Sequence, residues 1–468
     1  MRYISTRQCA EEVGLGRAVL DGIAPDGGLY VPTSVPFFDT QELTDLSNAK
    51  IDEFAFAILK RFVGDEVSDT ALIRMITEAY ASFKHPSVAP LVEVGHDRWI
   101  MELFHGPTLA FKDLALQILA PLMDHFLKVD DRDAFILCAT SGDTGGAALS
   151  AFSKVERVKA LVLYPSGGVS EFQENQMLNL ASKGCRTVAV DGTFDTCQRL
   201  VKSLLSNQRI ADRFGLVAVN SVNWGRIMAQ SVYFAKASLA LGTSERPVNF
   251  VVPTGNFGNA YAGVLAKRMG FPVGRITVAT NENDTLHRAI DSGLFEPKST
   301  RATNTPAMDI QSPSNFERIV FDADPSTRKK ESLQFIEAVK RDGSAAVPAT
   351  ALEAIRKDIV TKAISTIETD RQIKETYEQS GYVADPHTAV GLAAAKQTGA
   401  DNEPTIVFAT AHPVKFSKTV DAALERELGI TAYHGECFDR QSDTRILEAT
   451  EEDVVKLAVE IFSGQGRV

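Results

Sequence analysis

The chain has 468 residues, more than a single core usually organises, so two or three closely associated units are expected. Apolar residues make up 44% and charged residues 23%, which excludes an intrinsically disordered chain. A formal net charge of −11 speaks against a nucleic-acid-binding surface, and no apolar run approaches the roughly 20 residues that span a bilayer.

The five cysteines (Cys9, Cys138, Cys185, Cys197 and Cys437) lack the close pairs of a zinc site, and no metal is expected. Their odd number and wide spacing point to buried thiols in a reducing compartment. The start, Met1-Arg2-Tyr3-Ile4-Ser5, leads into a mixed polar segment without the hydrophobic core of a signal peptide, so the cytoplasm is the expected location.

In chain order, a turn-rich stretch over 24–32 precedes helical patterns at 51–62 and 71–83, and His85-Pro86-Ser87 suggests a boundary. From about Val92 onward, short β-rich runs alternate with amphipathic ones. Strands are expected at 134–140, 160–163, 187–190, 217–219, 248–252, 276–279 and 406–409, with helices at 227–241 and 259–269. Nearly continuous apolar strands alternating with helices predict an α/β fold, with parallel sheet covered on both faces. The polar stretch over 296–314 has the length and composition of a functional loop or lid. Residues 322–330 read as a solvated connection, and the acidic tail after Ala432 ends in a surface helix over 451–462.

Four loops share one design, in which a strand ends and small or hydroxyl residues open onto a helix whose free N–H groups suit an anion. In His105-Gly106-Pro107-Thr108-Leu109-Ala110-Phe111-Lys112-Asp113, Lys112 lies among aromatic and small residues. An amine in such a pocket loses proton affinity and can become the nucleophile of an imine. Ser141, Gly142, Asp143 and Thr144 suit a carboxylate or phosphate, although a capped tight turn gives the same pattern. Thr254, Gly255, Asn256, Phe257, Gly258 and Asn259 fit neither a dinucleotide fingerprint nor a Walker loop, yet could cradle one phosphate. Thr410, at the end of a strand, could meet a ring nitrogen; His412 reads as a structural hydrogen-bonder, and Lys415 and Lys418 as surface charges. Asn220-Ser221-Val222-Asn223 is an ordinary cap, but Arg226 in the following first turn opposes the helix dipole unless it meets an anion.

Taken together, these segments resemble the threonine synthase family, in the longer form found in many bacteria and fungi. The likeness starts at Gly22-Ile23-Ala24-Pro25-Asp26-Gly27-Gly28-Leu29-Tyr30-Val31-Pro32. It runs through the loops above and Met308-Asp309-Ile310-Gln311-Ser312-Pro313-Ser314-Asn315 to the Ala-Thr-Ala-His-Pro run at 409–413. Ile23 and Gly146 stand where Leu and Ser are usual. The resemblance implies a tryptophan synthase β-like (fold type II) architecture, two interleaved parallel α/β units over 92–430, with an N-terminal domain (1–91) in front and a C-terminal surface segment (431–468) behind.

It also implies pyridoxal 5′-phosphate (PLP) as cofactor and conversion of O-phospho-L-homoserine and water into L-threonine and phosphate. By motif, Lys112 would be the Schiff-base lysine and Thr254 to Asn259 would hold the cofactor phosphate, with Thr410 facing the pyridine nitrogen. Ser141, Gly142, Asp143 and Thr144 would grip the substrate carboxylate; Ser221, Asn223 and Arg226 would contact the substrate phosphate. No nucleic-acid or membrane partner is expected, and the protein would be a monomer or homodimer. Competing readings are a fold type II dehydratase, a phospholyase releasing 2-oxobutyrate, and an inactive PLP-binding relative with a regulatory role.

Overall fold

The apolar runs that read as strands form two sheets whose central members are buried on both faces; Val248–Pro253 and Thr405–Ala409 are buried at every residue. The computed structural model describes residues 1–468 except 183, 324–327, 400–402, 430–445 and 464–468. Six strands make the larger sheet, in the order Ile359–Ala363, Val273–Thr280, Val248–Pro253, Thr405–Ala409, Arg98–Glu102, Leu91–Gly95. All neighbours are parallel except the last pair. The smaller sheet runs Ile446–Leu447, Cys185–Val190, Val158–Pro165, Ala134–Ala139, Leu216–Val217, and is wholly parallel.

Most of the smaller sheet lies in sequence between Arg98–Glu102 and Val248–Pro253, which belong to the larger one. The two units are therefore interleaved, as the resemblance implies. The chain leaves Arg98–Glu102, Ala134–Ala139, Val248–Pro253 and Thr405–Ala409 at their C-terminal ends, directly into the four loops singled out above. Ligands of open α/β sheets gather at such ends.

In front, Ile51–Val63 buries Phe54, Ala55, Ile58, Leu59 and Phe62, one helical face at i, i+4 spacing. That face packs on Trp224–Leu241, where the Phe62 and Trp224 rings meet edge-on at 5.8 Å. The helix expected over 71–83 is Asp69–Ala81; it starts two residues earlier because Ser68 caps it, accepting from the Ala71 N–H. Arg318 fastens the N-terminal segment to the sheet-bearing region. Fully buried against the Trp224 ring, it donates through Nε and Nη2 to the Tyr30 carbonyl (3.2 and 3.0 Å), through Nη2 to the Val222 carbonyl (2.6 Å), and through Nη1 to Asn315 Oδ1.

Two expectations need correction. The tail helix, Glu451–Ser463, is more than a surface element: Val454, Leu457, Ala458 and Ile461 form an i, i+3, i+4, i+7 stripe buried with Phe135, Leu161 and Leu163 of the smaller sheet. Ile446–Leu447 likewise extends that sheet beside Cys185–Val190. Of the thiols, Cys138, Cys185 and Cys197 are buried but Cys9 is exposed, in a turn whose backbone N–H donates to Asp26; Cys437 lies outside the described residues. The stretch 322–330 lies partly outside the described residues; Arg328–Asp342 is helical. Among the described residues no helix is long and apolar enough to cross a membrane.

Replacing Arg318 with Met removes the donors to Tyr30 and Val222. Each stranded buried carbonyl costs about 1–3 kcal/mol. Urea denaturation of Arg318→Met is expected to show a loss of that order, with the N-terminal segment the first to become protease-sensitive.

Candidate active site

Lys112 is the first residue of the helix Lys112–Val129, and its position is fixed by the loop before it. Asp113 accepts from the Thr108 N–H (2.8 Å) and the Thr108 hydroxyl (2.7 Å), folding residues 106–111 back over the helix start. Gly106 permits this approach, because a Cβ there would fall 2.5 Å from the Asp113 Cβ. The loop is stitched to the end of strand Thr405–Ala409: Phe111 donates its N–H to the Thr410 carbonyl (2.9 Å), and His412 to the Leu109 carbonyl (3.0 Å). Thr410, buried, thus lies beside the Lys112 turn. His412 accepts from the Val414 N–H through Nδ1, a structural role as expected.

The Lys112 amine lies 4.7 Å from the Phe111 ring centre and 3.5 Å from Asp143 Oδ2. Burial lowers its proton affinity; Asp143 opposes that effect, while Arg226 and Lys415 add to it. Asp143, the first residue of helix Asp143–Phe152, is itself buried. Burial alone would raise its pKa, but Lys415 and then Lys112 hold it well below the usual carboxylate range. Its Oδ1 pairs with Lys415 Nζ at 2.8 Å and accepts from Gln173 Nε2 at 2.8 Å. Of the expected carboxylate-binding loop, the Gly142 N–H is already taken by Thr140 Oγ1 (3.0 Å), which also accepts from Gly145. Gly142 therefore offers a ligand no N–H, and Asp143 directs its carboxylate at lysines. Ser141 and Thr144 remain half-buried at the helix start.

Thr254 to Asn259 connects Val248–Pro253 to Gly258–Arg268, with Phe257 in the left-handed region at φ 65°. Thr254 anchors its start by donating Oγ1 to the Val252 carbonyl (2.7 Å) and N–H to the Ala279 carbonyl (2.8 Å). Residues 307–315 lie against this loop. Asn315 donates its N–H and Nδ2 to the Asn256 carbonyl, and a Cβ at Gly255 would meet the Ala307 carbonyl at 2.6 Å. The expected lid is a fastened segment: Asp309 accepts from Asn281, Asn283 and both the N–H and hydroxyl of Thr303. The buried Asn259 Nδ2 has no hydrogen-bond partner among the described residues.

The 220s segment divides. Asn223 is fully committed to the fold: Nδ2 donates to the Val19 and Ala218 carbonyls while Oδ1 caps Gly225, which leaves no side-chain group for a substrate phosphate. Arg226 is buried with a single donation from Nη1, to the Val219 carbonyl (3.3 Å), and its Nε has no partner. Burial lowers its pKa to about 10. Ser221 is half-buried, its carbonyl accepting from Asn315.

Two groups escaped the sequence reading. Lys415, read as a surface charge, is buried, donating to the Thr108 carbonyl (2.7 Å) and Gln176 Oε1 (3.3 Å) besides pairing with Asp143. Its neighbours Val414 and Phe416 were the available signal. Lys418 is an exposed charge facing Glu171. His387, also buried, bonds Asp385 Oδ1 through Nδ1 (2.8 Å) and accepts from the Ala307 N–H through Nε2 (3.4 Å).

Family models match in order: threonine synthase N terminus over residues 2–80, pyridoxal-phosphate dependent enzyme over 83–411, and threonine synthase C-terminal over 388–459. A threonine synthase of Pseudomonas aeruginosa is 39% identical over 449 residues, covering 96% of both chains. The chain belongs to the threonine synthase family. The Saccharomyces cerevisiae threonine synthase is 37% identical, covering 90% of this chain and 89% of its own. Among solved structures, PLP-bound threonine synthase from Brucella melitensis superposes over 100% of both chains with a TM-score of 0.95 at 38% identity. The yeast enzyme follows with a TM-score of 0.93 at 34% identity, covering 99% of each chain. Maize serine racemase, at 13% identity and a TM-score of 0.52, shares the fold alone.

The threonine synthase family is PLP-dependent, and the residues here fit that cofactor. A buried amine of reduced basicity, a tight glycine-containing loop at a helix start, and a buried arginine and asparagine with unpartnered nitrogens suit an aldehyde bearing a phosphate. Gly255→Ala would force its methyl against the Ala307 carbonyl, at an overpacking cost of about 1–3 kcal/mol. PLP titration of the purified variant is expected to show the dissociation constant raised by roughly tenfold or more.

Proposed function

We propose that this chain makes L-threonine and phosphate from O-phospho-L-homoserine and water, with Lys112 as the residue that bonds PLP. The observation that carries this reading is the charge of the pocket: Lys112 and Lys415 are buried on the ionised Asp143, and Arg226 is buried where its charge acts on Lys112, so that three cations stand against Asp143 and Asp113. Such a cationic excess away from water is stable only opposite anions. A substrate carrying both a carboxylate and a phosphate, on a cofactor with its own phosphate, supplies them.

In this reading Thr254, Gly255, Asn256, Phe257, Gly258 and Asn259 hold the PLP phosphate and Thr410 faces the ring nitrogen. Ser141 and Thr144 bind the substrate carboxylate by hydroxyl and N–H groups, and Asp143 orders that loop through Lys415 and Gln173. Arg226, with Ser221 beside it, meets the substrate phosphate and stabilises the charge that departs from Cγ. Bound PLP serves as an electron sink for the carbanion at Cα. The Lys112 amine would be the base placed to move protons at Cα and Cβ. The fastened 296–315 segment, resting on the cradle through Ala307 and Asn315, keeps bulk water from the site until one water adds at Cβ. Thr410 supplies a neutral hydroxyl, which leaves the ring less electron-poor than a carboxylate would.

Phosphate release and threonine formation from O-phospho-L-homoserine, measured together, are expected to match one to one. Dominant 2-oxobutyrate with little threonine would overturn the proposal in favour of a phospholyase. Lys112→Ala is expected to lose the near-visible absorbance of bound PLP along with turnover. Arg226→Met should raise the substrate KM by roughly 10- to 100-fold, the worth of a hydrogen bond to a charged group, with a far smaller change in PLP affinity. Equal losses of both would place Arg226 at the cofactor phosphate.

A further inference from the structure

Asp143 lies between two buried ammonium-bearing side chains, and it holds them unequally. Lys415 is bound at 2.8 Å through Oδ1, while Lys112 stands 3.5 Å from Oδ2. The closer lysine is held on three sides: the Thr108 carbonyl at 2.7 Å, Gln176 at 3.3 Å and Asp143. It comes from the turn Pro413–Phe416, whereas Gln173 and Gln176 come from helix Glu171–Leu180. Gln173 steadies the same carboxylate oxygen that Lys415 takes. Nothing in this arrangement brings Lys415 within hydrogen-bond reach of Lys112, so any influence on that amine passes through space or through Asp143.

We propose that Lys415 is a positioning residue that draws the Asp143 carboxylate to its own side, so that the Lys112 amine stays a nucleophile toward the PLP aldehyde. The inference rests on Lys112 as the residue that bonds PLP. Condensation forms a C=N bond between Nζ and the aldehyde carbon, and the aldehyde oxygen leaves as water with both amine hydrogens. An ammonium at Lys112 must therefore first release a proton. Burial, the largest influence, disfavours the ammonium; Asp143 favours it, and Arg226 and Lys415 disfavour it further by like charge. His387 adds positive influence at Asp143, and Asp113, on the far side of Thr108, faces Lys415. Burial raises the Asp113 pKa to about 6 against the bonds from Thr108, which weakens its claim on Lys415 at the acid end of the range.

Without the Lys415 charge, Asp143 is left with Lys112 as its one lysine partner and the repulsion is gone; both changes favour the ammonium. The rate at which full-length apo-enzyme takes up PLP, followed by growth of the near-visible band, reads this directly. Its dependence on pH in Lys415→Met and Lys415→Gln is expected to shift its midpoint upward by about one unit or more relative to wild type. Lys415→Arg, which keeps the charge, is expected to stay near the wild-type midpoint even if its melting temperature falls. In an Asp143→Asn background the shift caused by Lys415→Met should shrink by at least half, since the carboxylate that transmits it is gone. Asp143→Asn alone should move the midpoint down.

An unmoved midpoint in the neutral variants, or the same shift with and without the Asp143 carboxylate, overturns the proposal. If neither neutral variant is recovered folded, Asp143→Asn decides, and an unchanged midpoint there overturns it. Failure of the underlying reading looks different: Lys112→Ala would then keep the absorbance band, whatever Lys415 does.

Discussion

A carboxylate taken out of water loses hydration worth several kcal/mol, and it stays ionised only where cations return that stabilisation. Asp143 is such a group, and the geometry of the candidate site follows from how it is satisfied. Because it begins the helix after Ala134–Ala139, it fixes that strand end. Through Lys415 it reaches the turn after Thr405–Ala409, and through Thr108 the loop before Lys112. Three of the four loops are thus tied together by one buried ion pair and its hydrogen bonds. The fourth, Thr254 to Asn259, is bound by Asn315 instead, and Asn315 is held by Arg318. One group of loops is mostly cationic and the other mostly amide, which suits a ligand with anionic groups at separate points.

Much of the fold was legible because its strands are buried on both faces and so read as uninterrupted apolar runs, from Phe135 to Ala139 and from Val248 to Val252. The Lys112, Thr254–Asn259 and Thr410 segments were legible because strand end, small residues and helix start follow in a fixed local order. Lys415 was not, since a lysine in a short turn reads as solvated unless its distant partner is known, and Asp143 is far away in sequence. Asn223 failed in the opposite direction. Its type and position before a helix fit both a cap and an anion contact, and only the carbonyls of Val19 and Ala218 decide for the cap. Tail helix burial was missed for a related reason: the stripe at 454, 457, 458 and 461 is visible, but the sheet it covers is not contiguous with it.

The 296–315 segment is another instance of distant partners overriding local appearance. Its polar, proline-containing sequence suggests freedom. Its polar side chains instead converge on Asp309, Asn281 and Asn283, so that the same composition produces a well-fastened wall. Contact of Ala307 with both His387 and the Gly255 backbone couples that wall to the cradle beneath it.

Interleaving of the two sheets has a consequence for how the protein is made. Thr405–Ala409 inserts between Arg98–Glu102 and Val248–Pro253, so the middle of the larger sheet closes only after the ribosome has delivered the chain through Ala409. Until then strand Arg98–Glu102 lacks its parallel neighbour, and Asp143 lacks the lysine that compensates its burial. Nascent chains therefore carry an open sheet edge and an incomplete charge cluster through most of synthesis, a contact order that favours slow assembly and a need for protection from aggregation. Cofactor capture is consequently a late event, because it needs both the strand Thr405–Ala409 and the Lys415 turn that follows it.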